Sequence, residues 1–307
     1  MIRFVPPLML TGAIILTADA SPALAVPPAT VTVSGNDAFQ LGWKYDQGLG
    51  TPINIPEAIK AYEQAAAAGN PIAKSRMARY YFGGNGVVAD RVKAEQIVKG
   101  IAPELQKLAE AGNAIAQNDL GCMYIQGLGV ARDTALGLKW LNKAADQKLP
   151  VAQANIGVVY EHGEGVQANL SQAAAWYNLA ALQGSAIGQA ALGDLYDAGQ
   201  GVPQNKYEAA RLWGLSAAQN FAHAETNIGY YYDHGCVFAK NSYEAVQWYQ
   251  LAANQNFAVA ETNLAICYQD GCGVPQDINM AVYWYQRAAA QGDVNAIKAL
   301  QCLGYQL

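Results

Sequence analysis

Ala152-Gln153-Ala154-Asn155-Ile156-Gly157-Val158-Val159-Tyr160-Glu161-His162-Gly163-Glu164-Gly165-Val166 is the stretch that decides the fold. Ala152, Ile156 and Tyr160 are spaced by four, which lines one face of a helix. Gly157, beside Ile156, has no side chain to hold off a neighbouring helix. Gly163 and Gly165 supply the left-handed backbone that ends a helix. Asn169 is then a candidate N-cap, and Gln172, three residues later, completes a capping box. Ala173, Trp176, Tyr177, Ala180 and Ala181 form a second apolar face that Gly184 closes. The stretch predicts a helix–turn–helix hairpin.

The same pattern returns every thirty-six residues. Asp119-Leu120-Gly121, Tyr124, Gly127, Gly129 and Val130 precede it, and Leu192-Gly193, Tyr196, Gly199, Gly201 and Val202 follow it. Ile228-Gly229, Tyr232 and Gly235 come next, then Leu264, Tyr268, Gly271, Gly273 and Val274. Leu41-Gly42 and Met77-Ala78 begin two earlier copies. Asn54, Asp90, Asp133, Asn169, Asn205, Asn241 and Asp277 each fall six residues after the first loop glycine of their unit, which reads as seven helix starts. A fixed period of this size marks a stacked all-α array whose single units cannot bury their apolar faces alone. Seven units fit residues 37–293, and residues 294–307 predict a final capping helix. The second unit carries seven extra residues around Gly100 to Leu105, where Pro103 is expected to interrupt or restart the helix. Seven residues are two helical turns, so a longer helix and a local bend both fit.

The 307 residues are 52% apolar and 14% charged, which predicts a packed chain. A net charge of −5 argues against nucleic acid as partner, since that needs a basic patch. Arg3, the apolar run Phe4 to Leu16 and Ala23-Leu24-Ala25 read as an export signal over residues 1–25, cleaved after Ala25. Residues 26–36 read as a linker. No later segment is apolar enough to span a bilayer, so a periplasmic or secreted protein is expected.

The motif Ala-x3-Leu-Gly-x2-Tyr-x2-Gly-x-Gly-Val, followed by Asx-x3-Ala-x2-Trp-Tyr-x2-Ala-Ala-x2-Gly, resembles the Sel-1-like repeat, a relative of tetratricopeptide repeats. The resemblance covers nearly the whole chain after residue 36. It implies a right-handed α-superhelix whose first helices line a concave surface. It also implies an adaptor or interaction scaffold, of which many bacterial examples are exported. Val237, Gly137 and Ala265 depart from the motif in single units.

No catalytic motif stands out. H-E-x-x-H, a P-loop, G-x-S-x-G, Ser-x-x-Lys and Lys-Thr-Gly are all absent, which weighs against a β-lactamase-like or peptidoglycan-acting enzyme. No cofactor is expected. His234, Cys236, Asp270 and Cys272 are metal-ligand types on adjacent loops, but stacked helices about 10 Å apart disfavour a shared ion. Cys236 with Cys272, and Cys267 with Cys302, are candidate disulfides, and Cys122 reads as core. Asp46, Glu161, Asp197 and Asp233 recur along one loop edge, either as a solvated edge or as a site for a basic partner.

The concave row is the candidate site for a protein or peptide. Asn155, Asn227 and Asn263 share one repeat position, with Arg76 at the same place, and Trp43, Arg79 and Tyr230 lie three residues further along. In tetratricopeptide repeats, Asn residues on first helices clamp a peptide backbone, and the Asn227–Asn263 pair looks similar. The alternative is that these amides bond only to neighbouring helices. A component of an envelope or polysaccharide-export complex is a second expectation.

Overall fold

A computed structural model describes residues 34–48, 51–84 and 86–305. The export signal and most of the linker lie outside the described residues. Every element found among the described residues is an α-helix.

Two compact units divide the chain at Pro203–Gln204. The first contains α1 (Gly35–Gln47), α2 (Ile55–Ala67), α3 (Pro71–Gly83), α4 (Arg91–Glu110), α5 (Ala114–Gln126), α6 (Thr134–Asp146), α7 (Pro150–His162), α8 (Leu170–Leu182) and α9 (Ala186–Ala198). The second contains α10 (Lys206–Ala217), α11 (Ala222–His234), α12 (Ser242–Asn254), α13 (Ala258–Asp270), α14 (Ile278–Ala290) and α15 (Val294–Cys302). In each unit a first helix pairs with the second helix after it, and that second helix packs on the next hairpin. α1 begins at Gly35, so the helical array starts inside the expected linker.

The seven Asx residues are N-caps, each accepting a hydrogen bond from the backbone N–H three residues on, as Asn169 does from Gln172. That satisfies one donor that the first turn leaves orphaned, worth about 1 kcal/mol per cap. The first loop glycine ends each first helix in left-handed backbone, from Gly48 (φ 69°) to Gly271 (φ 71°). Gly157 allows close packing: a Cβ there would meet the Tyr177 ring at 2.5 Å. Tyr62, Tyr177 and Tyr249 fill such contacts at Gly42, Gly157 and Gly229, and the tyrosines of the Trp-Tyr stripe are core while Trp176 and Trp248 are half-buried.

The seven extra residues lengthen α4 to 20 residues, and the helix runs through Pro103 without a break. This corrects the expected interruption. Pro103 is exposed, so the carbonyl it leaves unbonded faces solvent.

Candidate functional site

The first helices carry the candidate row, and the structure buries most of it. Asn155 is 1% exposed, Asn227 1% and Asn263 2%, and Arg76 and Trp43 are buried as well. Arg79 and Tyr230 are half-buried. The assignment of Asn155, Asn227, Asn263, Arg76 and Trp43 as surface contacts is therefore corrected. A first helix is covered by its own second helix, by the second helix before it and by the next first helix, so little of its circumference stays open.

In the first unit the row forms a buried charge network. Nη2 of Arg76 lies 3.0 Å from Oδ1 of Asp119, and its Nη1 lies 3.9 Å from Oδ2 of Asp46. Arg79 reaches the same Asp119 oxygen at 3.4 Å, and Ser75 Oγ donates to Asp119 Oδ2 at 2.9 Å. Tyr62 and Tyr80 donate to Asp46 at 2.9 and 2.6 Å. The Arg76 guanidinium sits 4.5 Å from the Trp43 ring centroid. Burial opposes the Arg76 charge, but Asp119, Tyr62 and Asp46 outweigh it and hold the guanidinium above its ordinary value. Further along the row, Asn155 Nδ2 donates to Asn118 Oδ1 at 2.8 Å and to Cys122 Sγ at 3.4 Å. Trp43, Arg76 and Arg79 are thus brought together around Asp119 as interior structure. The network links first helices α1, α3, α5 and α7.

The loop-edge carboxylates are also structural in part. Tyr177 donates to Glu161 as Tyr62 does to Asp46, and Tyr285 donates to Gln269 at 3.0 Å. Each of these tyrosines bonds sixteen residues back. Asp233 is buried and accepts from Ser242 at 3.2 Å.

A second recurring bond was not anticipated. The glutamine at the end of a second helix donates thirty residues back: Gln147 to Gln117 at 2.7 Å and Gln183 to Gln153 at 2.6 Å. In the second unit the acceptor is a carboxylate, with Gln255 donating to Glu225 at 2.7 Å and Gln291 to Glu261 at 2.8 Å. Arg287 lies 2.9 Å from Glu261, whereas Leu251 holds the equivalent place one repeat earlier. Burial alone pushes the Glu225 carboxyl up to about 7. Burial also raises Glu261, against Arg287 and Gln291. The signal was in the chain: Gln-Asn-Phe-Ala-x-Ala-Glu-Thr-Asn occurs at both 219–227 and 255–263, with Glu where earlier repeats have Gln.

No disulfide joins the cysteines of the described residues. Cys267 is fully buried whereas Cys302 is exposed, so their side chains face different surroundings and the expected pairing is corrected. Cys236 and Cys272 are half-buried and are not joined by a disulfide. Among the described residues no group of three His, Cys, Asp or Glu side chains is placed to hold a metal. His234 instead stacks on Tyr230, with ring centroids 3.9 Å apart. No helix among the described residues is long and apolar enough to cross a membrane.

The outward faces of the second helices differ in character, and α8 of the first unit is uncharged and exposes Leu179 and Leu182. Those of α2, α4 and α6 carry exposed charges of both signs, such as Lys60 and Glu63, Lys99 and Glu104, and Lys139 and Asp146. Those of α10, α12 and α14 expose Tyr207 (74%), Tyr243 (61%), Tyr283, Leu215, Leu251 and Ile278. Their charged groups are few, and Arg211 and Arg287 are already paired with Glu208 and Glu261.

The Sel1 repeat profile matches residues 37–70, 71–96, 114–149, 150–185, 186–221, 222–257 and 258–293. The gap between 96 and 114 falls on the lengthened α4. A Sel1 repeat protein from Oxalobacter formigenes is 31% identical over 74% of this chain and 88% of its own, with TM-score 0.61. The antigen c5321 of uropathogenic Escherichia coli is 31% identical over 88% of this chain, with TM-score 0.56. This chain spans 56% of that protein. Immunity protein Pa5087 of Pseudomonas aeruginosa shares the fold at 19% identity and TM-score 0.51. Mouse DAP3-binding cell death enhancer 1 is 51% identical over 39 residues, which is 13% of this chain and 8% of the mouse protein. With seven repeat matches over most of its length, the chain belongs to the Sel1 repeat family, whose members generally serve as scaffolds for protein–protein interaction.

Proposed function

We propose that this protein is an exported, non-enzymatic scaffold that docks a protein partner on the outward faces of α10, α12 and α14. One observation carries the docking surface: large apolar and aromatic side chains stand exposed there in register, Tyr207 with Tyr243 and Leu215 with Leu251, on a face with few charges. Clustered exposed apolar side chains mark interaction surfaces, and tyrosine with arginine is the composition of an interface centre. The apolar run after Arg3 and the Ala23-Leu24-Ala25 site support export to the periplasm or beyond. A mature protein with Val26 at its N-terminus is the expected product. N-terminal sequencing that finds Met1 retained on the purified protein overturns that part.

The inner row is buried and serves as the control: Asn155 is 1% exposed and Asn263 2%. Capture of partners from envelope extracts tests the outward surface against it. Tyr207→Asp with Tyr243→Asp is expected to abolish capture, and Asn155→Ala with Asn263→Ala to leave it unchanged. The reverse result assigns the binding to the inner row.

A further inference from the structure

We propose that Cys267 and Cys272 are a redox pair, two thiols that the end of α13 brings together so that a disulfide oxidant joins them. The pairing is local to one turn, unlike a bridge between neighbouring repeats. The Cys267 carbonyl accepts from the N–H of Gly271, whose left-handed backbone (φ 71°) ends the helix. The same carbonyl accepts from the N–H of Cys272 at 3.0 Å. This second bond folds the chain back over the last helical turn, and the side chains at its two ends are those that meet across such a cap. A carbonyl oxygen lies about 2.4 Å from its own Cα, and an amide nitrogen about 1.5 Å from its own, so the two Cα atoms stand within about 7 Å. That is the reach of a disulfide.

Four earlier first helices end in the same bond. The N–H of Leu128 donates to the Met123 carbonyl at 3.0 Å, Glu164 to Val159 at 3.2 Å, Gln200 to Leu195 at 2.9 Å and Cys236 to Tyr231 at 3.1 Å. At α5 the two side chains, Met123 and Leu128, belong to one buried apolar cluster, which shows what the cap does with its ends. Only at α13 are both positions cysteine. Cys236 holds the outer position one repeat earlier, but Tyr231 holds the inner one, so that turn offers a single sulfur.

The two thiols differ in access, and this sets the order of events. Cys272 is half-buried, whereas Cys267 is fully buried. Burial pushes the Cys267 thiol up, and negative charge at Asp233, Cys272 and Asp270 adds to the shift. Cys272 therefore reacts first. Its thiolate attacks one sulfur of a disulfide oxidant, and the other sulfur of the oxidant leaves as a thiolate. Cys267 then gives up its proton, attacks the Cys272 sulfur and expels the first sulfur of the oxidant. The two protons and two electrons of the pair pass to the oxidant, whose disulfide becomes two thiols. The new bond closes a small ring around Gly271 and ties the end of α13 to the loop that leads to the cap of α14 at Asp277. Oxidants of this class act outside the cytoplasm, so in the cell the step rests on the proposed export, whereas the pairing rests on the turn alone.

The purified full chain, incubated with oxidised glutathione and then alkylated under denaturing conditions, tests this. Cys267 and Cys272 are expected to escape alkylation together. Chymotrypsin cuts after Tyr268, between them, and should release their two peptides as one linked species that dithiothreitol separates. Cys272→Ser should leave Cys267 open to alkylation. Cys267→Ala, which keeps the buried site apolar, should leave Cys272 as a mixed disulfide with glutathione. An oxidised wild type in which Cys267 is still alkylated overturns the proposal, and so does one in which Cys272 is linked to Cys236. A protein purified with Met1 retained that forms the bond with glutathione overturns the export and leaves the pairing standing.

Discussion

Arg76 and Glu225 are both buried on first helices, yet the two units treat them differently. Arg76 has Asp119 and Asp46 as counter-charges and Trp43 against its face. Glu225 has a neutral amide, Gln255, and no cation near enough to lower it, so burial raises its carboxyl to about 7. Arg76 is buried with paired counter-charges, whereas burial of Glu225 favours its protonated form. A repeat fixes where a side chain sits and leaves open how its charge is handled.

The largest effect that sharpens this contrast is expected at Arg76. Arg76→Leu removes the guanidinium between buried Asp119 and Asp46 and should destabilise the first unit by about 3–5 kcal/mol in urea unfolding. A loss below about 1 kcal/mol would mean that water already screens the network.

Glu225→Gln should act with the opposite sign and only at higher pH. The folded carboxyl holds its proton up to about 7, while the unfolded one releases it near 4.5. The stability of this site is therefore full below about pH 4.5 and falls as pH rises through about 7. The glutamine variant removes that fall. It should gain up to about 3 kcal/mol at pH 8 and little at pH 4.5, read from thermal melts at both values. Equal effects at the two pH values would break the comparison.

A smaller effect is expected from Leu251→Arg, which supplies Glu225 with the cation that Arg287 gives Glu261. The Glu225 carboxyl should move down toward the ordinary carboxylate range in an NMR titration, with about 1.5 kcal/mol gained at pH 8. The caps should show no contrast. Asn169→Ala in the first unit and Asn241→Ala in the second should each cost about 1 kcal/mol, since the same hydrogen bond is lost.

Helix starts and stops were legible in the sequence because they depend on local chemistry. An Asx side chain caps the N–H groups next to it, and a glycine takes the left-handed turn wherever it stands. The inner row was less legible. The period shows that Asn155, Asn227 and Asn263 are equivalent, but their burial depends on how many neighbouring helices close over them. Pro103 misled for a related reason: its unbonded carbonyl is harmless only because that side of α4 faces solvent. Glu225 was visible as a residue, but its missing cation depends on Leu251, which becomes a neighbour only after folding.

The two recurring polar bonds reach sixteen and thirty residues along the chain. Both reaches are shorter than one repeat, so each new hairpin brings its own bonding partners with it. Duplicating one period preserves every such bond, while inserting an arbitrary length displaces acceptor from donor. These two bonds therefore survive a change of length in steps of thirty-six residues, whereas the Arg76–Asp119 network, which crosses repeats, does not. The lengthened α4 is the tolerated exception, adding about two helical turns and keeping the next hairpin in phase. The hairpin that carries both partners of such a bond is the natural unit in which the array is lengthened or shortened.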